Sequence, residues 1–160
     1  MKLSKNFSLE EVIRSSTAKK LGIDNTPNEE HLKNLQVVVD EIAQPLRDHF
    51  CKPVRINSGY RSPALNDAIG GSKKSQHSKG EALDLEIDGV SNLEVADWIT
   101  DNCDYDQVIL EFYNPADGPN SGWVHASCKA ILSENRERKL IALKDGKKTV
   151  YTLANEFITN

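Results

Sequence analysis

The chain has 160 residues and a mass of 17.8 kDa, which is enough for one domain with a sizeable hydrophobic core. Its apolar content of 38% and charged content of 28% are ordinary for a globular protein. The formal net charge of −4 argues against a nucleic-acid binder, which normally presents a basic face. The three cysteines are widely spaced and form no C-x-x-C pair, so we expect free thiols rather than a zinc knuckle.

Helices are predicted in the first third of the chain. Ser8-Leu9-Glu10-Glu11 has the pattern of a capping box, which predicts a helix that begins after Ser8 and ends near Ser16. Between Glu29 and Phe50, apolar residues recur at the spacing of three and four that is typical of an amphipathic helix. These residues are Leu32, Leu35, Val38, Val39, Ile42 and Leu46. Pro45 predicts a kink or a break in this helix, because proline has no backbone N–H.

Strands dominate the rest of the chain. The predicted strands are residues 52–57, 82–87, 107–112 and 122–128, and the predicted helices are residues 63–69 and 92–102. A final hairpin lies within residues 138–154 and turns at Asp145-Gly146. This order predicts an α+β fold in which N-terminal helices pack on an antiparallel sheet, as one domain over residues 1–160.

The segment from Ser75 to Asp84 has the pattern S-x-H-x-x-G-x-A-x-D and contains two potential metal ligands, His77 and Asp84. Alternate residues of a strand face the same way, so Asp84 is predicted to face a cleft while Leu83 and Leu85 face the core. A carboxylate between two leucines is costly to bury unless it is paired or bound to a metal.

A third potential ligand, His125, lies in the predicted strand of residues 122–128. If the two strands are neighbours, they present an imidazole and a carboxylate to one point, and His77 completes the set from its loop. Each residue alone has an ordinary structural explanation, but the three together favour one metal ion. Two histidines and a carboxylate, with one position left to water, are typical of hydrolytic zinc sites.

These motifs resemble those of a known peptidase group. Ser75, His77, Gly80, Ala82 and Asp84 match the signature of the zinc D-alanyl-D-alanine carboxypeptidases, the vancomycin-resistance D,D-dipeptidases and the phage L-alanyl-D-glutamate endopeptidases. The fold of this group is shared with the hedgehog signalling domain. Trp123-Val124-His125 resembles the group's C-terminal histidine motif, and residues 58–71 resemble a block of its phage-type members. The likeness covers about residues 7–127.

The resemblance implies a role for several residues. His77, Asp84 and His125 would bind one zinc ion, and Arg61 would hold a substrate carboxylate or a developing oxyanion from its place before a helix. A structural ion pair is the alternative for Arg61. Ser75 would contact substrate or cap the loop, and Tyr60 would line the cleft or pack in the core.

The general base is the point at which this chain departs from part of the group. Many members have an acidic residue three positions before the last histidine ligand, where this chain has Gly122. The nearest candidate is Glu111, at the end of a strand predicted to pair with residues 122–128. A solvated strand end is the alternative for Glu111, and Asp117 and Glu86 are weaker candidates for the base.

The resemblance implies a zinc peptidase that hydrolyses amide bonds in peptidoglycan stem peptides, of the D,D-carboxypeptidase or L-Ala-D-Glu endopeptidase type. The alternative is a zinc-containing binding module of the same fold without turnover. We expect a monomer that binds peptidoglycan peptides, but neither nucleic acid nor membranes stably. Residues 1–7 have no apolar signal-peptide core. We therefore expect cytoplasmic synthesis, and action in the periplasm or cell wall after release, as for a phage or prophage endolysin.

Overall fold

The computed structural model describes residues 1–157, which form six α-helices and six strands. The α-helices are α1 Leu9–Ile13, α2 Ser16–Leu21, α3 Glu29–Val38, α4 Gln44–Phe50, α5 Pro63–Ala68 and α6 Asn92–Asn102. The strands are β1 Arg55–Ser58, β2 Ala82–Glu86, β3 Gln107–Glu111, β4 Trp123–Ser127, β5 Arg138–Asp145 and β6 Lys148–Leu153. Within residues 1–157, no helix combines the length and the apolar character needed to cross a membrane.

The predicted capping box is present at the start of α1. The Ser8 hydroxyl accepts the backbone N–H of Glu11, and the Glu11 carboxylate accepts the N–H of Ser8. The helix ends at Ile13, earlier than predicted, because the Ser15 hydroxyl accepts the N–H of Ala18 and begins a separate helix, α2. The serine that was expected to extend the first helix therefore caps the second one.

Pro45 does not split the long helix, which runs without interruption from Glu29 to Phe50. A single π-helical turn, Val39–Ala43, joins α3 to α4 immediately before the proline. Proline cannot donate the hydrogen bond to the carbonyl four residues earlier, and a wider turn lets the helix continue without that bond. The apolar side chains of the turn, Val39 and Ile42, remain fully buried, as does Leu46 beyond it.

The six strands form one sheet in the order β1-β2-β4-β3-β5-β6. The sheet is antiparallel, as predicted, except for β3 and β5, which are parallel. Residues 128–137 carry the chain across the start of β3, where Asp106 binds the backbone N–H groups of Arg136 and Arg138. The predicted hairpin is β5–β6, and its two-residue turn is Gly146-Lys147 rather than Asp145-Gly146.

The two faces of the sheet have different partners. One face packs against α3, α4 and α6 and forms the main core, whose sheet residues include Leu83, Leu85, Val108, Leu110, Val124 and Ala126. Because strand side chains alternate, the residues between them point to the opposite face. That second face, away from the helices, carries Asp84 on β2 and His125 on β4.

Candidate metal centre and active-site cleft

Asp84 and His125 are direct partners across neighbouring antiparallel strands, β2 and β4. Nδ1 of His125 lies 3.3 Å from Oδ1 of Asp84. His77 approaches the same oxygen from a short 3₁₀ turn, Gln76–Lys79, and its Nε2 also lies 3.3 Å away. The structure therefore brings the three predicted ligand residues to one point.

His77 lies in a turn, where the sequence predicted an irregular loop. Gly80 ends this turn with φ +75°, and a Cβ there would lie 2.5 Å from the carbonyl oxygen of His31. Only glycine lets the chain pass this close to α3. Nδ1 of His77 lies 2.8 Å from the carbonyl oxygen of Gly59, a contact that orients the ring so that Nε2 faces Asp84.

His125 is held from its other side by a chain of polar contacts. Its Nε2 lies 3.3 Å from Oε1 of Gln76, and the Gln76 amide donates to Oδ2 of Asp106 at 2.7 Å. Asp106 is fully buried and accepts further hydrogen bonds from the Arg136 guanidinium. Burial alone raises the pKa of Asp106, but the bonds from Arg136 outweigh it and hold this pKa below its usual value. No sequence pattern marks Gln76, Asp106 or Arg136 as part of the site, although Gln76 lies beside His77 in the motif.

The three residues fit a metal ion. Their potential ligand atoms all lie within 4.8 Å of one another. Among the described residues, no hydrogen-bond donor satisfies the buried Oδ1 of Asp84, a costly state that a bound cation would relieve. Burial alone raises the pKa of Asp84, but the adjoining imidazoles of His77 and His125 outweigh it and keep this pKa well below its usual range. The carboxylate is thus ionised, and two nitrogens with one oxygen suit zinc.

These residues form one end of a cleft of about 510 Å³. Glu111 lines the same cleft at the end of β3, where it is the cross-strand partner of Trp123. Burial, reinforced by the charge of Asp84, raises the pKa of the Glu111 carboxyl to about 7, although His125 and Arg61 act in the opposite direction. A carboxyl group that titrates near neutral pH is suited to accept and return a proton.

The backbone at Gly122 excludes the acidic side chain that the resemblance leads one to expect there. Its φ is +65°, and a Cβ would lie 1.9 Å from the carbonyl oxygen of Glu111, so no side chain fits at this position. The weaker candidates lie outside the cleft in other contacts, Glu86 with Arg55 and Asn57, and Asp117 with Asn114. Within residues 1–157, the carboxylates that line the cleft are therefore Asp84 and Glu111.

Arg61 and Ser75 line the cleft, whereas Tyr60 does not. Nη2 of Arg61 lies 3.7 Å from Oδ2 of Asp84, a position compatible with both an ion pair and an anion clamp. Ser75 precedes the His77 turn, and its hydroxyl makes no capping hydrogen bond there. The Tyr60 ring is buried, its hydroxyl lies 2.9 Å from Nδ1 of His31, and it lines a neighbouring cavity that Arg61 also borders.

Comparison with known proteins identifies the class to which this fold and site belong. The chain is a member of the peptidase M15 family, whose model matches residues 5–115. The family expected from the motifs is therefore confirmed. The matched region contains Arg61, His77, Asp84 and Glu111, whereas His125 lies beyond its end.

The chain is also similar to individual proteins over a short stretch. It is 44% identical over 45 residues to the peptidoglycan L,D-endopeptidase MepK of Escherichia coli strain K12. The match covers 25% of this chain and 25% of MepK. The MepK of Shigella flexneri matches to the same extent. The chain thus covers about a quarter of the length of the curated relatives it matches.

Proposed function

We propose that this protein is a zinc-dependent peptidase that hydrolyses amide bonds in peptidoglycan stem peptides. The observation that carries the proposal is the convergence of His77, Asp84 and His125 in one cleft that also contains Glu111. Membership of a peptidase family supports hydrolysis. The short match to a protein named as a peptidoglycan endopeptidase supports the substrate class.

Each residue has a chemical role in this proposal. Nε2 of His77, a carboxylate oxygen of Asp84 and Nδ1 of His125 would hold the zinc ion, which when bound polarises a carbonyl group and acidifies water. Glu111 accepts a proton from the attacking water and returns it to the leaving amine. Arg61 donates hydrogen bonds to the carbonyl oxygen as it becomes negative, or to a substrate carboxylate. The Ser75 hydroxyl faces the bound peptide.

The main test compares the wild type with Glu111→Gln, an isosteric variant that cannot accept a proton. Protein stripped of metal and reloaded with zinc is incubated with purified peptidoglycan, and the new amino groups are counted. We expect Glu111→Gln to bind one zinc ion and to lose about 10²- to 10⁴-fold in rate. His77→Ala is expected to lose the zinc ion itself. If the wild type releases no amine with any metal, the proposal fails.

A separate measurement is needed to determine which amide bond of the stem peptide is hydrolysed. The D,D-carboxypeptidase and L-Ala-D-Glu endopeptidase types remain the proposed alternatives, and the name of the matched relative adds an L,D bond. Mass spectrometry of the digested muropeptides distinguishes these bonds, because each product has its own mass.

We also propose, from the likeness of residues 58–71 to phage-type members, that the protein serves in phage or prophage lysis. In this proposal it is a one-domain monomer, made in the cytoplasm, that reaches the wall after membrane damage. Cells that express it should stay intact until chloroform permeabilises the membrane, and then lyse. Cells that express Glu111→Gln are the control and should not lyse.

A second candidate function is a zinc-containing binding module without turnover. The presence of Gly122 in place of the usual acidic residue favours this candidate. Such a protein would bind zinc stoichiometrically and sediment with insoluble peptidoglycan, yet release no amine. Release of amines by the wild type but not by Glu111→Gln would exclude it.

A further inference from the structure

The far side of the cleft is built by the β5–β6 hairpin, which lies beyond residue 115, where the family match ends. We propose that this hairpin is a substrate-binding wall, and that Tyr151 and Leu153 contact the peptide whose scissile bond lies at the metal centre. The inference rests on the proposed function and deepens it, since it names the surface that receives the rest of the peptide.

The strand register connects the metal centre to Leu153. Direct cross-strand partners run through five neighbouring strands, in the order Asp84, His125, Ile109, Leu140 and Leu153. Side chains of direct partners lie on the same face of a sheet. With strands about 4.8 Å apart, the row is roughly 19 Å long, which is the span of five to six extended residues. An extended peptide of five to six residues that lies across the strands from the metal centre therefore reaches Leu153.

A second row, parallel to the first, connects the proposed base to Tyr151. Trp123, Glu111, Ala142 and Tyr151 are successive cross-strand partners. Tyr151 lines the same cleft as the three metal-centre residues, although β6 is separated from β4 by two strands. Ala142 between Glu111 and Tyr151 is small and fully buried, so it leaves a depression rather than a barrier.

The floor between these points is apolar. Ile109, Leu140 and Ala142 form a small buried cluster that is separate from the main core and lies on the cleft face of the sheet. Beyond it, Tyr151 is 55% exposed and Leu153 is 64% exposed. Large apolar side chains that continue an apolar floor out of a cleft are a contact surface for a ligand. A tyrosine suits this role, because its ring supplies contact area and its hydroxyl a hydrogen bond.

The rim of the cleft carries positive charge. Lys74 and Arg61 line it, together with Arg136, whose guanidinium is paired with the buried Asp106. An apolar floor with a cationic rim fits a peptide that combines small apolar side chains with free carboxylates. The stem peptides of the proposed substrate have this chemistry, which commits the surface to substrate rather than to a second copy of the chain.

The test uses Tyr151→Ala and Leu153→Ala, with Val150→Ala as the matched control. Val150 directly precedes Tyr151 on the same strand and is 44% exposed, but it points to the opposite face. Calorimetry measures the binding of soluble muropeptides to metal-stripped protein, and kinetics with the zinc-loaded protein give KM and kcat. We expect the two cleft-face variants to bind about tenfold more weakly, with KM raised to match and kcat and zinc affinity unchanged. Tyr151→Phe keeps the ring and should retain most of the binding.

Each outcome decides between the proposals. If the wild type cleaves peptidoglycan and Tyr151→Ala has the same KM as Val150→Ala, the wall is refuted and the peptidase proposal stands. If muropeptides bind without turnover, and Tyr151→Ala binds them less tightly, the wall stands and the peptidase proposal fails. If the wild type neither binds muropeptides nor cleaves peptidoglycan, the wall and the peptidase proposal are both refuted. If Tyr151→Ala only converts a dimer to a monomer in light scattering, the surface is a subunit interface and the inference is wrong.

Discussion

Gln76 controls the direction of the His125 ring, because its side chain contacts the imidazole nitrogen that faces away from Asp84. We expect Gln76→Ala to weaken zinc binding about 10- to 100-fold, as for other residues that orient a metal-binding histidine. A chelator competition assay measures this affinity without substrate. Gln107→Ala is the control, since Gln107 lines the same cleft but its side chain bonds none of the ligand residues. Equal affinities of the two variants would contradict this role.

The carboxyl group of Glu111 predicts a pH dependence of stability in the zinc-free protein. Burial raises its pKa from the ordinary 4.5 to about 7, so the folded chain holds this proton more tightly than the unfolded chain does. The resulting stabilisation is complete below the unfolded pKa and is lost as the pH rises through the folded pKa. Urea midpoints of the wild type should therefore fall, relative to Glu111→Gln, between about pH 4.5 and about pH 7. Parallel curves for the two proteins would show that Glu111 has an ordinary pKa.

For single residues, the sequence predicts those contacts that a local pattern marks, and it does not predict contacts between residues that are far apart along the chain. The alternation of side chains in β2 placed Asp84 in a cleft, and the motif brought His77 to it. Gln76 was missed because its contact with His125 joins residues 49 positions apart, and no local pattern marks such a contact. For Tyr60 the sequence left open whether it lines the cleft or packs in the core, because its hydroxyl reaches His31 on α3, a partner that depends on how the helix packs.

Among the larger elements, the junction of β3 and β4 depends on Gly122. Its left-handed conformation and the closeness of the Glu111 carbonyl leave no space for a Cβ. We expect Gly122→Ala to reduce the free energy of unfolding by more than about 2 kcal/mol and to slow turnover by shifting Glu111, with zinc still bound. Gly22→Ala is the control: its φ of +66° is similar, but no atom lies within 4 Å of the added Cβ. That variant should lose only about 1 kcal/mol in a denaturation experiment, with normal turnover.

Local signals predicted most elements but not every way in which they join. The capping box placed the start of α1, where Ser8 accepts the expected N–H group of Glu11. Pro45 signalled an irregular helix, yet the π turn that absorbs it keeps Val39 and Ile42 in the core, which is a tertiary requirement. The parallel pairing of β3 and β5 depends on the path of residues 128–137 and on their bonds to Asp106. The spacing of apolar residues along the helices and strands predicts neither the π turn nor the parallel pairing of β3 and β5.

For the whole molecule, the arrangement of the sheet assembles the cleft. The metal-centre residues come from a turn before β2, from β2 itself and from β4, and the order β2-β4-β3 then brings Glu111 beside them. The hairpin extends the same face beyond the region shared with the family. The site therefore exists only when the strands are paired, and occupation of the site is coupled to folding.

This coupling predicts that zinc stabilises the folded protein as a whole. A ligand that binds only the folded state adds about 4 kcal/mol when its free concentration is a thousand times its Kd. For a chain of this size, that corresponds to an increase in Tm of roughly 10 °C. Scanning calorimetry of stripped and zinc-loaded protein measures the shift. His125→Ala should abolish the shift, whereas His49→Ala should retain it, because the His49 ring stacks on Trp98 outside the cleft. A shift of equal size in all three proteins would mean that zinc binds elsewhere.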